Sequence, residues 1–120
     1  MTRPAREIER IHATAIALGG KAALIRGASG SGKSDLALRC LTAAPLPHVP
    51  HRMELVADDQ VELALVFDGI EASAPPAIAG KLEVRGLGVL DIPFRATARL
   101  ALAIDLVAPE EVPRYPLEEV

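Results

Sequence analysis

Apolar residues along this chain fall in short runs, most of them too short for a helix. Residues 11–18 and residues 21–26 are two such runs, split by Gly19-Gly20. A Gly-Gly link between two apolar runs predicts a β-hairpin. Residues 53–57 predict a short buried strand. Residues 61–67 alternate apolar with polar or small side chains, as a half-buried strand does. Asp68-Gly69 predicts a two-residue turn, with residues 70–73 returning as its partner. Residues 98–107 predict a final apolar strand. Residues 33–42 read as a helix. Residues 78–82 fit either a short helix or an extended piece, and residues 83–92 mix apolar side chains with Gly86 and Gly88.

Prolines punctuate the rest. Pro45, Pro47 and Pro50 predict a stiff exposed connection over residues 44–51, and residues 74–76 break regular structure. The expected organisation is one domain over residues 1–120, with a polar lead over residues 1–10 and a proline-rich tail over residues 108–120. The chain carries no internal repeat.

Composition narrows the function classes. With 120 residues, half of them hydrophobic, the chain can bury one core. Only Phe67, Phe94 and Tyr115 are aromatic, so that core consists of Ala, Leu, Val and Ile. The formal charge is −3 with both signs scattered, and the lack of a basic stripe argues against nucleic acid as a partner. Cys40 is the one cysteine, a small apolar filler of the helix; a disulfide within the chain is excluded, and a reducing cytoplasm is expected. No apolar run approaches a membrane span, and the charged start is no secretory leader.

Residues 27–34 read GASGSGKS and fit the phosphate-loop pattern G-x-x-x-x-G-K-[ST] at every fixed position. A strand-like run precedes it and a helix-like run follows, which is the context the pattern needs. Gly27, Gly30 and Gly32 let the backbone turn. The amides of Ala28, Ser29, Ser31 and their neighbours then point at phosphate oxygens, helped by the helix N-terminus. Lys33 supplies a cation for the outer phosphates, and Ser34 offers a hydroxyl to magnesium. The pattern predicts binding of a magnesium nucleoside triphosphate, ATP in the reading below. A strand–loop–helix unit requires some parallel pairing, while the two hairpins argue against a purely parallel sheet. The expected fold class is therefore α/β, a phosphate-loop-containing mixed sheet, rich in strands with few helices.

Phosphoryl transfer also needs a held metal and a proton acceptor. Asp58 and Asp59 follow the strand over residues 53–57, a position suited to acids that face the phosphates. Successive strand residues point to opposite faces, so a regular strand presents one of the two and a turn is needed to present both. Glu83, ahead of Arg85, is a third candidate acid. His12 stands on an otherwise apolar strand. His48 and His51 lie among the prolines and read as bystanders.

In order, His12, GASGSGKS, Leu55-Val56-Ala57-Asp58-Asp59, Ala74-Pro75-Pro76 and the stretch LEVRGLGVLD over residues 82–91 resemble the catalytic domain of the bifunctional HPr kinase/phosphorylase family, from about Ile11 to Val107. The 82–91 stretch is the most specific part, since it is no general phosphate-loop feature. The resemblance implies a fold related to phosphoenolpyruvate carboxykinase and transfer from ATP to a seryl residue of HPr, a carrier protein of the sugar phosphotransferase system. It implies that residues 27–34 bind the triphosphate, that Ser34 and Glu83 hold Mg2+, and that Asp58 exchanges the seryl proton. Asp59 would support the metal and its water, His12 would sit beside Asp58 and tune it, and Arg85 with the Gly86 to Gly88 turn would shape the acceptor end. The chain looks like the family's short form; a homo-oligomer, a hexamer in the family, is implied as its assembly. Residues 93–99 stand where the long form has a Gly-rich loop, which argues against phosphorolysis.

Two other functions compete. A regulatory module would bind nucleotide on the same loop without turnover. A small-molecule kinase would use the loop on a metabolite, although no segment suggests a sugar or nucleoside pocket.

Overall fold

The Gly19-Gly20 link closes a hairpin. In a computed structural model, which describes residues 7–49 and 51–112, β2 (Thr14–Leu18) and β3 (Lys21–Gly27) pair antiparallel with Leu18 opposite Lys21. Both glycines take positive φ, 59° and 85°, the left-handed geometry that a tight link between twisted strands requires.

The run expected as one strand over residues 11–18 is two strands. β1 (Ile8–His12) pairs with β5 (Gln60–Val66), placing His12 opposite Gln60. β2 pairs with β3 on one side and with β4 (Glu54–Ala57) on the other. The chain changes partners at Ala13, whose N–H donates to the Asp59 carbonyl at 3.1 Å. β1 therefore takes residues 8–10 out of the expected polar lead; residues 1–6 lie outside the described residues.

β6 (Gly69–Ser73) returns from β5 with Val66 opposite Gly69, so the two-residue turn is Phe67-Asp68, one residue earlier than the expected Asp68-Gly69, and Gly69 opens the return strand. β9 (Thr97–Leu106) then inserts between β6 and β3. The seven-stranded order is β1-β5-β6-β9-β3-β2-β4. β3 and β9 run parallel and the other pairings are antiparallel, so the sheet is mixed, as expected. Residues 83–92 resolve into a second sheet. β7 (Lys81–Val84) and β8 (Gly88–Asp91) form a hairpin whose turn is closed by the Leu87 N–H on the Val84 carbonyl at 3.0 Å. A 3-10 turn at Pro76–Ile78 precedes it.

α1 (Lys33–Thr42) is the one α-helix among the described residues. Pro45 follows its end and cannot extend it. Ala37 packs on Ile16 and Ile25, with Leu36, Cys40, Leu41 and Met53 around them. The two-residue period of β2 separates two cores. Ile16 faces the helix, while Ala15 and Ala17 face the opposite cluster with Leu24, Val56, Val61, Ala72 and Ala98.

Phe67 sits at the β5–β6 turn with its side chain wholly exposed (104%), and Phe94 is also exposed. Tyr115, Pro50, Pro113 and Pro116 lie outside the described residues. Because Phe67 buries nothing, Phe67→Ser is expected to change the urea-unfolding free energy by less than about 0.5 kcal/mol. A loss several times larger would contradict its placement. His48 and His51 are exposed in the 44–51 connection. Among the described residues no helix is long and apolar enough to cross a membrane.

Candidate functional site

β3 ends at Gly27 and α1 begins at Lys33, so the glycine-rich segment is a tight bend between strand and helix. Its glycines serve two different needs. At Gly27 the need is space: a Cβ there would lie 2.5 Å from Ser31 Oγ and 3.1 Å from the Leu106 carbonyl. At Gly30 and Gly32 the need is conformation, φ 80° and 101°, with open space where a side chain would be. The Ser31 N–H donates to the Ala28 carbonyl at 3.0 Å, and the Leu36 N–H to the Gly32 carbonyl at 2.9 Å, starting the helix.

Lys33 is buried (7% exposed). Burying an ammonium is costly unless it is hydrogen-bonded. Nζ donates to the Gly27 carbonyl at 2.7 Å and the Ala28 carbonyl at 3.0 Å, so the bend holds its own lysine over the loop.

Asp58 and Asp59 sit where β4 turns into β5. Asp59 has φ 69°, the one non-glycine with positive φ among the described residues. Asp tolerates this left-handed conformation better than most residues. The Gln60 N–H bonds back to the Asp58 carbonyl at 2.8 Å and closes the turn. This is the turn that two consecutive acids need to face one cleft.

Asp58 is buried (5% exposed) and held by three donors. Thr14 Oγ1 donates to Oδ1 at 2.9 Å, Ser34 Oγ donates to the same oxygen at 2.7 Å, and the Glu83 N–H donates to Oδ2 at 3.1 Å. Strand β2, the first turn of α1 and strand β7 thus converge on one carboxylate. His12 does not sit on Asp58 as the resemblance implied. Its Nε2 lies 3.1 Å from Asp59 Oδ1. The register explains it: His12 is opposite Gln60, next to Asp59, and Thr14 takes the place beside Asp58.

A cleft of about 610 Å³ joins these groups. His12, Asp58, Asp59, Glu83 and Arg85 line it from the acid side. Ser29, Gly30, Gly32, Lys33 and Ser34 line it from the loop. Glu83 and Arg85 are exposed on the β7–β8 hairpin. Gly27, Ala28 and Ser31 instead line a second cleft of about 640 Å³, across the bend, with Asp105, Leu106 and Glu111. There Arg26 donates from Nε and Nη2 to Asp105 at 2.6 and 2.9 Å. That hydrogen bond, then the charge behind it, holds the Asp105 carboxyl below its ordinary range. Its contribution to stability is therefore present above the unfolded-state value and fades as the pH falls through the folded one. Both side chains are about half exposed (51% and 55%), so water screens the pair and the contribution is small.

Sequence reasoning missed Thr14 and Asp35, which also line the acid cleft. A threonine in a strand of Ala, Ile and Leu was the available signal for Thr14, because a buried hydroxyl there needs a partner. Among the described residues no group of three or more His, Cys, Asp or Glu is arranged to hold a metal by itself.

A family model described as the HPr Serine kinase C-terminal domain matches residues 5–115. The chain belongs to this family. An HPr kinase/phosphorylase of Bordetella petrii is 37% identical over 121 residues, covering 92% of this chain and 37% of that protein. One from Clostridium tetani is 39% identical over 84 residues, covering 70% of this chain and 25% of that protein. The chain thus spans well under half the length of these curated relatives. The solved structure of the Hpr(Ser) kinase/phosphatase from Coxiella burnetii superposes with a TM-score of 0.74 at 27% identity, covering 92% of this chain and 73% of that one. The HPr kinase fold is accordingly a strand-rich mixed sheet carrying a single α-helix over the described residues.

Proposed function

We propose that this domain transfers the terminal phosphate of ATP to a seryl hydroxyl of an HPr-like carrier protein. The observation that carries the reading is the three-donor grip on Asp58 beside the lysine-bearing bend. The names of the relatives support the acceptor, and the GASGSGKS pattern supports the triphosphate.

The residues divide the work. Amides of residues 28–34 and the Lys33 ammonium would hold the phosphates, Lys33 leaving the Gly27 and Ala28 carbonyls to do so. Ser34 and Glu83 offer hard oxygen donors in one cleft, a set that suits Mg2+, which binds through few protein ligands and substrate phosphates. When bound, the ion would neutralise charge on the phosphates. Asp58 Oδ1 already accepts two hydrogen bonds while Oδ2 accepts one. Oδ2 is therefore the atom with room for the seryl proton. The seryl oxygen attacks the terminal phosphorus, its proton passes to Oδ2, and the bond to the bridging oxygen breaks to leave ADP. His12 would orient Asp59, which supports the metal and its water. Arg85 would stand at the acceptor end. The reading places the protein in the cytoplasm with its acceptor.

A regulatory module without turnover is the second reading, because the GASGSGKS pattern supports nucleotide binding whether or not a carrier is phosphorylated. Incubating the chain with magnesium, labelled ATP and the carrier protein separates the two. Label on a carrier serine supports the kinase. ATP binding with an unlabelled carrier supports the regulatory module. Label on a metabolite instead would point to a small-molecule kinase.

A further inference from the structure

Thr14 is completely buried (0% exposed), on a strand whose other residues are Ala, Ile and Leu. Its hydroxyl has one proton to give and gives it to Asp58 Oδ1. Ser34 Oγ gives its proton to the same oxygen. The two donors are not equivalent. Thr14 lies inside the sheet, opposite Ile25 on β3 and beside the β2–β4 ladder, where β-branching and packing allow its side chain little rotation. Ser34 is half-buried on the first turn of α1 and lines the open cleft, so its hydroxyl is free to turn.

The proposed reaction uses that freedom, and the inference rests on that reading. When Ser34 turns toward a magnesium ion, Asp58 Oδ1 loses one of its two donors. The carboxylate must stay in place at that moment, because Oδ2 is the atom offered to the acceptor. We propose that Thr14 is the positioning residue that keeps Asp58 fixed when Ser34 leaves it. Thr14 holds Oδ1 from within the sheet, the Glu83 N–H holds Oδ2 from the hairpin, and a buried hydroxyl and a backbone amide together set the carboxylate plane whatever Ser34 does. Thr14 acts through Asp58 and touches no substrate.

The test compares Thr14→Val, which keeps the shape and removes the hydroxyl, with Thr14→Ser, which keeps the hydroxyl. Transfer to the carrier, the KM for the carrier and the Kd for a non-hydrolysable ATP analogue are measured for each. Thr14→Val is expected to lower kcat by about 10- to 100-fold, as loss of a buried hydrogen bond to a charged group does. Carrier KM and analogue Kd stay within about twofold, and Thr14→Ser recovers most of kcat. A Thr14→Val protein with the wild-type kcat overturns the role. A Thr14→Ser protein as slow as Thr14→Val also overturns it, since packing would then be the cause. If Thr14→Val loses its cooperative melt, Thr14→Ser against Thr14→Cys gives the same contrast of hydroxyl with thiol, and equal rates in that pair overturn the role. A wild-type chain that binds the analogue but never phosphorylates the carrier overturns the reaction, and this role with it.

Discussion

Asp58→Asn is expected to lower phosphoryl transfer to the carrier by about 10³-fold while nucleotide affinity stays within a few-fold, read by single-turnover rates and by titration with a non-hydrolysable ATP analogue. Positioned proton acceptors contribute about 10²–10⁴-fold. Asn has nearly the shape of Asp, so Thr14 and Ser34 keep an oxygen to bond. The amide NH2 would face the Glu83 N–H, donor against donor, at a cost of about 1–3 kcal/mol in stability. A variant that melts lower, binds nucleotide and does not transfer is the expected combination. A variant that transfers at the wild-type rate removes Asp58 from the chemistry. A variant that loses nucleotide binding as well makes Asp58 a structural acid.

Lys33→Met is expected to weaken ATP binding by about 10- to 100-fold, the worth of a charge-assisted bond to phosphate. The loss should be larger for the triphosphate than for the monophosphate, because the proposed role puts Lys33 on the outer phosphates. Met keeps the length and apolar stem of a side chain that is 7% exposed, so the fold should tolerate it. The Gly27 and Ala28 carbonyls lose their donor, and Ala28 is exposed enough for water to replace it. Lys33→Arg should not rescue affinity, since a planar guanidinium does not fit a pocket shaped for a compact ammonium. Calorimetry with ATP and AMP checks both statements. Equal losses for the two nucleotides would place Lys33 away from the outer phosphates.

Short-range features of this fold were legible in the chain. Gly19-Gly20 brings the backbone geometry of a hairpin with it, and Asp68-Gly69 marks a second hairpin whose turn falls one residue earlier, at Phe67-Asp68; both hairpins form. The helix over residues 33–42 appears with the expected bounds. What local pattern could not carry was partner exchange. The break at Ala13 exists because β1 and β2 pair with different strands, and only the distant Asp59 carbonyl marks it. The β7–β8 hairpin was hidden because Gly86 and Gly88 dilute the alternation that identifies strands. Around the cleft, residue types pointed to Asp58, Asp59, Lys33, Ser34 and Glu83, and the fold brings all five to it. The pairing inside the site was not legible. His12 and Thr14 are two residues apart, at the end of β1 and the start of β2, and the register alone decides that Thr14 meets Asp58 while His12 meets Asp59.

The geometry also separates tasks that residue types leave merged. Asp58 is buried and gripped, whereas Asp59 is exposed on a left-handed turn. Two adjacent carboxylates in such unlike surroundings suit the unlike roles proposed for them, proton acceptor for Asp58 and metal support for Asp59.

The most direct test is a crystal structure of this chain with magnesium and a non-hydrolysable ATP analogue. The account predicts the phosphates wrapped by residues 27–34, with the terminal phosphate in the cleft between Lys33 and Asp58 and the Thr14 bond to Asp58 intact. A nucleotide bound anywhere else, with Asp58 and Glu83 remote from its terminal phosphate, would contradict it.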